Sequence, residues 1–166
     1  YKDSEVKMQI SPRFGIAYPI SATGVVHFSY GHFLQIPPFQ YLFADGPYYV
    51  PNDGSFVGLY GNPDLEAQKT VMYELGFRQE FLNDYLIDIT GFYRDVRDWI
   101  TAGPPIATQI GVTYSIYTNK DYANVKGITL TFNKVFKDNF AFDVNYTYQV
   151  AEGTNSRPED EFFAFQ

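Results

Sequence analysis

The chain has 166 residues, of which 45% are hydrophobic and 19% aromatic, and it carries a net charge of −7. This acidic balance and the scattered placement of its 12 basic residues argue against nucleic acid as a partner, because binding a phosphate backbone requires clustered lysine and arginine. The lack of cysteine excludes disulfide frameworks and thiolate metal sites, and no stretch approaches the roughly 20 apolar residues of a membrane-spanning helix.

Alternation of apolar and polar residues recurs along the chain and predicts about six long β-strands. In chain order they cover residues 9–18, 25–34, 67–81, 85–99, 122–136 and 140–150. A seventh strand is predicted to begin near residue 161. Helical periodicity is nearly absent, so the sequence predicts an all-β fold.

The strand at 140–150 shows the alternation most clearly. Its apolar positions are Phe140, Phe142, Val144, Tyr146, Tyr148 and Val150, and polar or small residues stand between them. Side chains of a strand point alternately to its two faces, so this segment has one apolar face and one polar face. The apolar face would contact a core in a soluble protein and lipid in an outer-membrane barrel.

The connections between the predicted strands alternate between short and long. Short links cover 19–24, 82–84 and 137–139, and longer links cover 35–66, 100–121 and 151–160. An up-and-down meander places all the short links at one end and all the long links at the other, which is the asymmetry of outer-membrane barrels. The strands also exceed the usual length of about five or six residues and reach the roughly 9–11 of a tilted membrane strand. We therefore expect an antiparallel up-and-down meander of long strands that is part of a transmembrane β-barrel.

Several segments resemble the barrel of TonB-dependent outer-membrane receptors. They are SPRFGIAYPI at 11–20, VVHFSYGHF at 25–33, PPF at 37–39, GNPDLE at 61–66, YELGF at 73–77, FYRDVRDWI at 92–100 and YANVKGI at 122–128. The resemblance covers residues 11–158 and depends on the order and spacing of these segments. It implies a barrel of about 22 strands closed around an N-terminal plug, which imports scarce nutrients with energy from a TonB complex.

The chain departs from that family pattern in two ways. No plug domain or TonB box precedes the strands, and six or seven strands are fewer than the minimum of about eight that closes a barrel. We therefore interpret residues 1–166 as a partial barrel domain, an internal segment of a transporter in the outer membrane of a Gram-negative cell. The expected partners are outer-membrane lipid, a small-molecule or glycan ligand, and a TonB complex reached through a plug that this chain lacks.

The long link at 35–66 carries aromatic residues beside carboxylates, a combination that can stack on a sugar ring or contact the apolar part of a ligand. Its candidate ligand-binding residues are Phe39, Tyr41, Phe43, Asp45, Tyr48, Tyr49 and Asp53. The alternative is that these aromatics pack the loop against itself or against the barrel rim.

Four charged residues occupy polar positions of the predicted strands and are expected to face the lumen, where they would pair across strands or with a plug. They are Glu74, Arg78, Asp88 and Arg94.

His27 and His32 fall on different strand faces and have no further ligands nearby, so no metal site is predicted. The sequence contains no convergent carboxylate pair, phosphate-binding loop or histidine-based triad. We therefore expect no catalytic residue, no cofactor and no enzymatic activity.

Three functions remain open from the sequence. The leading hypothesis is the wall of a transporter that imports a siderophore, cobalamin or an oligosaccharide, with the long loops forming an extracellular ligand vestibule. The second is a soluble β-sheet carbohydrate-binding module whose aromatic face forms a core. The third is a small closed barrel that serves as an anchor or adhesin. Two sheets facing each other would support the module, and one continuous outward belt of apolar residues would support the barrel wall.

Overall fold

The computed structural model describes residues 7–45, 56–109, 111–154 and 161–165. Its elements are β1 Arg13–Pro19, β2 Gly24–Gln35, α1 Phe39–Phe43, β3 Phe56–Tyr60, β4 Gln68–Phe81, β5 Tyr85–Ala102, β6 Ile106–Ala107, β7 Thr113–Lys137, β8 Phe140–Thr154 and β9 Glu161–Phe165. Every predicted strand has a counterpart among them. Within the described ranges, no helix has the length and apolar character needed to cross a membrane.

The main strands form one continuous antiparallel sheet in the order β1-β2-β4-β5-β7-β8-β9. Each of these strands is hydrogen-bonded to the next one along the chain, which is the connectivity of an up-and-down meander. The predicted all-β antiparallel meander is therefore confirmed. β3 and β6 lie off this path, and both pair with the first part of β7, β3 in parallel and β6 in antiparallel orientation.

Two tight turns close one end of the sheet. Between β7 and β8, Asp138 and Asn139 have φ values of 57° and 62°. Between β4 and β5, Leu82 and Asn83 have φ values of 52° and 61°. Positive φ at both central residues matches the twist of a β-hairpin, and asparagine and aspartate tolerate it better than most residues. These turns and the link between β1 and β2 define the turn end of the sheet, and the opposite end is called the loop end.

The structure corrects the strand boundaries predicted at the loop end. The segment predicted as a link at 100–121 is mostly strand, because β5 continues to Ala102 and β7 begins at Thr113. The pairing of β5 with β7 shifts register on both sides of Trp99, and Asp98 adopts a φ of 59°. A register shift interrupts the regular alternation of faces, so a period-two pattern does not reveal this part of the strand. The link predicted at 35–66 likewise contains α1 and β3.

Apolar side chains of adjacent strands lie in register on one face of the sheet. One row contains Ile16, Phe28, Leu75, Gly91, Ile128 and Tyr148, and the next row toward the turn end contains Tyr18, Val26, Phe77, Ile89, Leu130 and Tyr146. These two rows are called the apolar belt. No second sheet in the described part of the chain covers it, and Leu75 is 59% exposed. The arrangement is that of a barrel wall and not that of two facing sheets.

Candidate functional site on the polar face and at the loop end

The face of the sheet opposite the apolar belt is called the polar face. In its central row, His27, Gly76, Thr90, Thr129 and Thr147 lie side by side on successive strands. Successive side chains alternate between faces, so the register that aligns the belt also aligns this row. No buried side-chain nitrogen or oxygen of the described residues lacks a hydrogen-bond partner.

Three of the four residues predicted to face a lumen make contacts on the polar face. Arg78 of β4 donates from Nε to Asp88 of β5 at 2.8 Å, and the Thr90 hydroxyl donates to the same carboxylate at 3.0 Å. Glu74 accepts a hydrogen bond from the Ser29 hydroxyl at 3.0 Å. The Asp88 side chain is 14% exposed and that of Arg78 is 59% exposed. Because water screens so exposed a guanidinium, the ion pair orients the side chains more than it stabilises the fold.

Side-chain hydrogen bonds continue the polar face across β7 and β8. They join Thr129 to Thr147 at 3.1 Å, Thr131 to Asn145 at 2.7 Å and Asn133 to Asp143 at 3.0 Å. All three pairs are directly opposed in the register of the two strands. Cross-strand pairs of this kind each add roughly 0.2–1 kcal/mol, so the polar face is compatible with water and held in a fixed arrangement.

Arg94, the fourth predicted lumen residue, lies over an aromatic ring. Its guanidinium carbon is 4.9 Å from the centre of the Phe92 ring. That ring covers Gly127 of the neighbouring strand, where an added Cβ would come within 2.7 Å of the Phe92 Cζ. Arg94 is exposed and forms no ion pair within the described ranges. A guanidinium supported by a ring, with its N–H donors free, can bind an anionic oxygen.

The loop end carries a small folded unit that buries its own side chains. This loop-end cap consists of α1, β3, residues 61–66, β6 and residues 111–119. Its interior contains Leu65, Val112 and Ser115, which are 4%, 2% and 3% exposed. The cap is therefore packed like a small soluble domain, although it is continuous with the sheet.

Gly61 and Asn62 join α1 to β7 within the cap. The Gly61 N–H donates to the Ala44 carbonyl at 2.8 Å, and the Asn62 N–H donates to the Tyr41 carbonyl at 2.9 Å. The Asn62 side chain also donates to the Tyr117 carbonyl at 2.9 Å. A Cβ at Gly61 would collide with the backbone of Ala44, so the close approach requires glycine. The first two residues of the GNPDLE segment thus have a structural role.

Asn119 fastens the cap to the main sheet. Its side-chain amide accepts a hydrogen bond from the Glu66 N–H at 2.8 Å and donates to the Glu66 carbonyl at 3.0 Å. It also donates to the carbonyl of Asp98, the residue of positive φ in β5, at 2.7 Å. The amide thus imitates a peptide unit and joins β7 to two other segments. The alternation of apolar and polar residues does not single out Asn119. The one signal in the sequence is that asparagine is depleted in strands, so its presence at this position of β7 is unusual.

The structure separates the aromatic residues that were predicted to bind a ligand. Tyr41 packs on Tyr117 of β7 with ring centres 4.8 Å apart, which is the rim packing of the alternative interpretation. Phe39 and Phe43 are 78% and 48% exposed, and their rings stack with centres 6.1 Å apart. Asp45 is also exposed. The other predicted ligand residues, Tyr48, Tyr49 and Asp53, lie outside the described residues.

The two histidines lie on opposite faces of the sheet. His27 pairs with Gly76 on the polar face, and His32 bonds to the Tyr30 hydroxyl on the belt side. Among the residues that the structure describes, no group of three or more histidine, aspartate and glutamate side chains could hold a metal ion. This part of the chain therefore offers no protein-based metal centre.

Two lysines at the turn end are held by different partners. The Lys137 ammonium donates to the Asp84 carboxylate at 2.5 Å, and this hydrogen bond together with the charge of Asp84 raises the pKa of Lys137 above its ordinary value of 10.5. Lys134 lies on the belt side and is 9% exposed. Its ammonium donates to the carbonyls of Lys137 and Phe140 at 3.0 Å, and it lies 5.8 Å from the centre of the Tyr85 ring. Such partners make the burial of an ammonium tolerable.

A family model described as TonB dependent receptor-like, beta-barrel, matches residues 1–164. A comparison with curated proteins gave no match. Among solved structures, the chain is similar to the ferric enterobactin receptor PfeA of Pseudomonas aeruginosa, with a TM-score of 0.70 and 18% identity, over 86% of this chain and 24% of that one. For the siderophore receptor PirA of the same organism the TM-score is 0.65 and the identity 18%, over 86% of this chain and 30% of that one. For the outer membrane transporter YddB of Escherichia coli the TM-score is 0.71 and the identity 16%, over 87% of this chain and 20% of that one. The chain thus spans less than a third of the length of these structures, and at such identities the likeness concerns the fold.

Proposed function

Because the chain belongs to the family of TonB-dependent receptor-like β-barrels, we propose that it forms part of the wall of a transporter that imports a scarce nutrient. Membership of this family confirms the predicted location, the outer membrane of a Gram-negative cell. It also confirms that the chain is not an enzyme, since the family consists of receptors.

The observation that carries the proposal is the match between the height of the sheet and a membrane. Tyr30, Tyr73 and Tyr93 form a row at the loop-end margin of the apolar belt. Phe81 and Tyr85 stack at the turn end with ring centres 5.4 Å apart. Along β4, Tyr73 and Phe81 are separated by about 26 Å at roughly 3.3 Å per residue. At the tilt of about 35–45° of outer-membrane strands this length corresponds to a height of roughly 20 Å, which is close to, and slightly below, the apolar band of about 25 Å that aromatic girdles flank in such barrels.

The polar face supports a second part of the proposal, that this side lines the barrel interior. Glu74, Arg78, Asp88 and Arg94 all lie on it, opposite the belt. Glu74, Arg78 and Asp88 make hydrogen bonds and an ion pair that tolerate water, as a lumen requires. The Arg78–Asp88 pair then belongs to the wall itself, whereas Arg94 is available to a ligand.

The ligand on this proposal is a siderophore, in preference to cobalamin or an oligosaccharide. PfeA and PirA, two of the similar structures, are named as receptors for ferric enterobactin and for a siderophore. Ferric chelates present negatively charged oxygens, which a ring-supported guanidinium such as that of Arg94 binds well.

The exposed Phe39 and Phe43 pair, with Asp45, would form the extracellular vestibule together with Tyr48, Tyr49 and Asp53. Tyr41 would position this loop through Tyr117. Energy would come from a TonB complex through a plug domain.

Uptake of radiolabelled ferric enterobactin by iron-limited cells that express the full-length protein tests the function. We expect uptake to require the protein and to fall about tenfold or more in Arg94→Gln, because a hydrogen bond to a charged group contributes roughly 1.5–3 kcal/mol. Arg94→Lys should retain part of the uptake, and Arg78→Gln is the matched control that should leave it nearly unchanged. Uptake of cobalamin or of a maltooligosaccharide in place of the ferric chelate would overturn the ligand class. A product that remains soluble would overturn the barrel wall.

A further inference from the structure

A second guanidinium lies on the polar face at the level of Arg94. The Arg13 guanidinium carbon is 4.7 Å from the centre of the Phe33 ring. That ring lies over Gly31 of β2, where an added Cβ would come within 3.0 Å of the Phe33 Cε2. Arg94 is held in the same way, with the Phe92 ring beneath the guanidinium and a glycine beneath the ring. The arrangement of arginine, ring and glycine therefore occurs twice on this face.

The register of the strands places the two arginines in one row of the polar face. Arg13 pairs with Gly31, Gly31 with Met72, and Met72 with Arg94. The Cα atoms of the two arginines are thus three strand spacings apart, which is about 14 Å. Arg94 directly follows Tyr93, a member of the tyrosine row at the loop-end margin of the belt. The arginine row therefore lies toward the end of the sheet that carries the long loops.

A cavity of about 360 Å³ lies beside Arg13. It is also bordered by Ser29, Gly31, Phe33 and Met72, which share the polar face in the register of β2 and β4. Its volume is within the range of small-molecule sites. A phenyl ring and a thioether both make favourable contacts with an aromatic group, and a guanidinium binds anionic oxygens. The lining thus suits a group that is aromatic and negatively charged.

The charges around the arginine row also favour an anion. Arg13 and Arg94 are exposed, and neither forms an ion pair within the described ranges. The two adjoining rows of the polar face contain one carboxylate, that of Glu74, which accepts a hydrogen bond from the Ser29 hydroxyl at 3.0 Å. Two positive charges therefore outweigh one negative charge in this part of the polar face.

We propose that Arg13 and Arg94 bind the same ligand from two sides, and that this ligand is an anionic ferric chelate with aromatic catecholate arms. A chelate with several anionic arms can bridge the span between the arginines, whereas a single carboxylate or phosphate is too small. Anionic oxygens accept hydrogen bonds from both guanidiniums, and one aromatic arm enters the cavity between Phe33 and Met72. A neutral hydroxamate chelate brings no charge to the guanidiniums, and a citrate chelate brings no ring. The inference rests on the proposed function and narrows its siderophore to one that is anionic and aromatic.

Equilibrium binding of iron-labelled chelates to the purified full-length receptor tests the site. The probes are ferric enterobactin, which is an anionic catecholate chelate, ferric citrate, and ferrichrome, which is a neutral hydroxamate chelate. We expect ferric enterobactin to bind most tightly and Arg13→Gln to weaken its binding about tenfold, as Arg94→Gln does. Arg13→Lys keeps the charge but not the planar fork and should retain part of the affinity. Arg97→Gln is the matched control, because the Arg97 guanidinium also lies over a ring, 5.2 Å from the centre of Tyr122, but on the belt side of β5.

Heat-modifiable migration and the melting temperature of the ligand-free receptor first establish how each variant folds. Unchanged binding in Arg13→Gln, together with a loss in Arg94→Gln, would overturn the two-arginine site and leave the proposed function intact. A lower melting temperature of ligand-free Arg13→Gln would assign Arg13 to a contact with the plug and would also overturn the site. Wild-type binding of ferrichrome or ferric citrate as tight as that of ferric enterobactin would overturn the ligand class. A wild-type receptor that binds none of the three chelates would instead overturn the proposed siderophore transport.

Discussion

The loop-end cap and the main sheet use apolar residues in opposite ways. In the cap, Leu65 and Val112 are 4% and 2% exposed, and protein atoms cover them. In the belt, Leu75 and Ile128 are 59% and 54% exposed, and the described chain leaves them uncovered. The cap therefore excludes water from its own interior, whereas the sheet requires lipid on one side and is held by its ladder of cross-strand hydrogen bonds. The cap thus covers its apolar side chains with protein, whereas the belt leaves its apolar side chains to be covered by the membrane.

The largest expected effect comes from a charge placed in the belt. Ile89→Arg puts a guanidinium at a central position of β5 on the lipid side, which costs roughly 2–4 kcal/mol near the bilayer midplane. We expect the full-length protein to lose membrane assembly, as measured by heat-modifiable migration in outer-membrane fractions. Thr90→Arg introduces the same group one residue later on the polar face and should assemble. Equal assembly of the two variants would contradict the assignment of the faces.

A smaller and local effect is expected from the residue that joins the cap to the sheet. Asn119→Ala removes three hydrogen bonds to the backbone of Glu66 and Asp98 and should destabilise the cap by about 1–3 kcal/mol. Hydrogen exchange should become faster at residues 61–66 but not in β8. Asn133→Ala, which removes one hydrogen bond on the polar face, should leave the cap unchanged. Faster exchange throughout the sheet in Asn119→Ala would show that the two regions are not separate.

The smallest expected effect concerns the exposed ion pair at the turn end. The pKa of Lys137 is raised by Asp84, so the pair stabilises the folded state below the unfolded pKa of 10.5. This contribution is lost as the pH rises through the folded pKa of Lys137, which lies above that value. Asp84→Asn should lower the pKa of Lys137 toward 10.5, as followed by NMR of the labelled lysine side chain. An unshifted titration would show that Asp84 is not its partner in solution.

The sheet could be predicted from the sequence because its signals are local. Regular alternation at 140–150 identifies most of β8, and Asp138 and Asn139 mark the turn before it. The cap could not be predicted, because its contacts join distant segments and follow no period. The parallel pairing of β3 with β7 and the packing of Tyr41 on Tyr117 are of this kind.

The candidate site was accessible to sequence reasoning only in part. Alternation assigns Glu74, Arg78, Asp88 and Arg94 to one face, and the register of the strands places them there. It cannot show which charges are already paired, since that depends on the neighbouring strand. The support of Arg94 by Phe92, and of the Phe92 ring by Gly127, likewise becomes visible only in the folded sheet.

The bonding of Lys134 has a consequence for the order in which the sheet forms. Its ammonium donates to carbonyls of Val135, Lys137 and Phe140, all within six residues of its own position. The ring of Phe132 also packs against that of Phe142 across the same hairpin, with centres 5.1 Å apart. Contacts so close in sequence require little loop-closure entropy and form early. We therefore expect the β7–β8 hairpin to form early, and the strands that depend on distant partners to join it later in assembly.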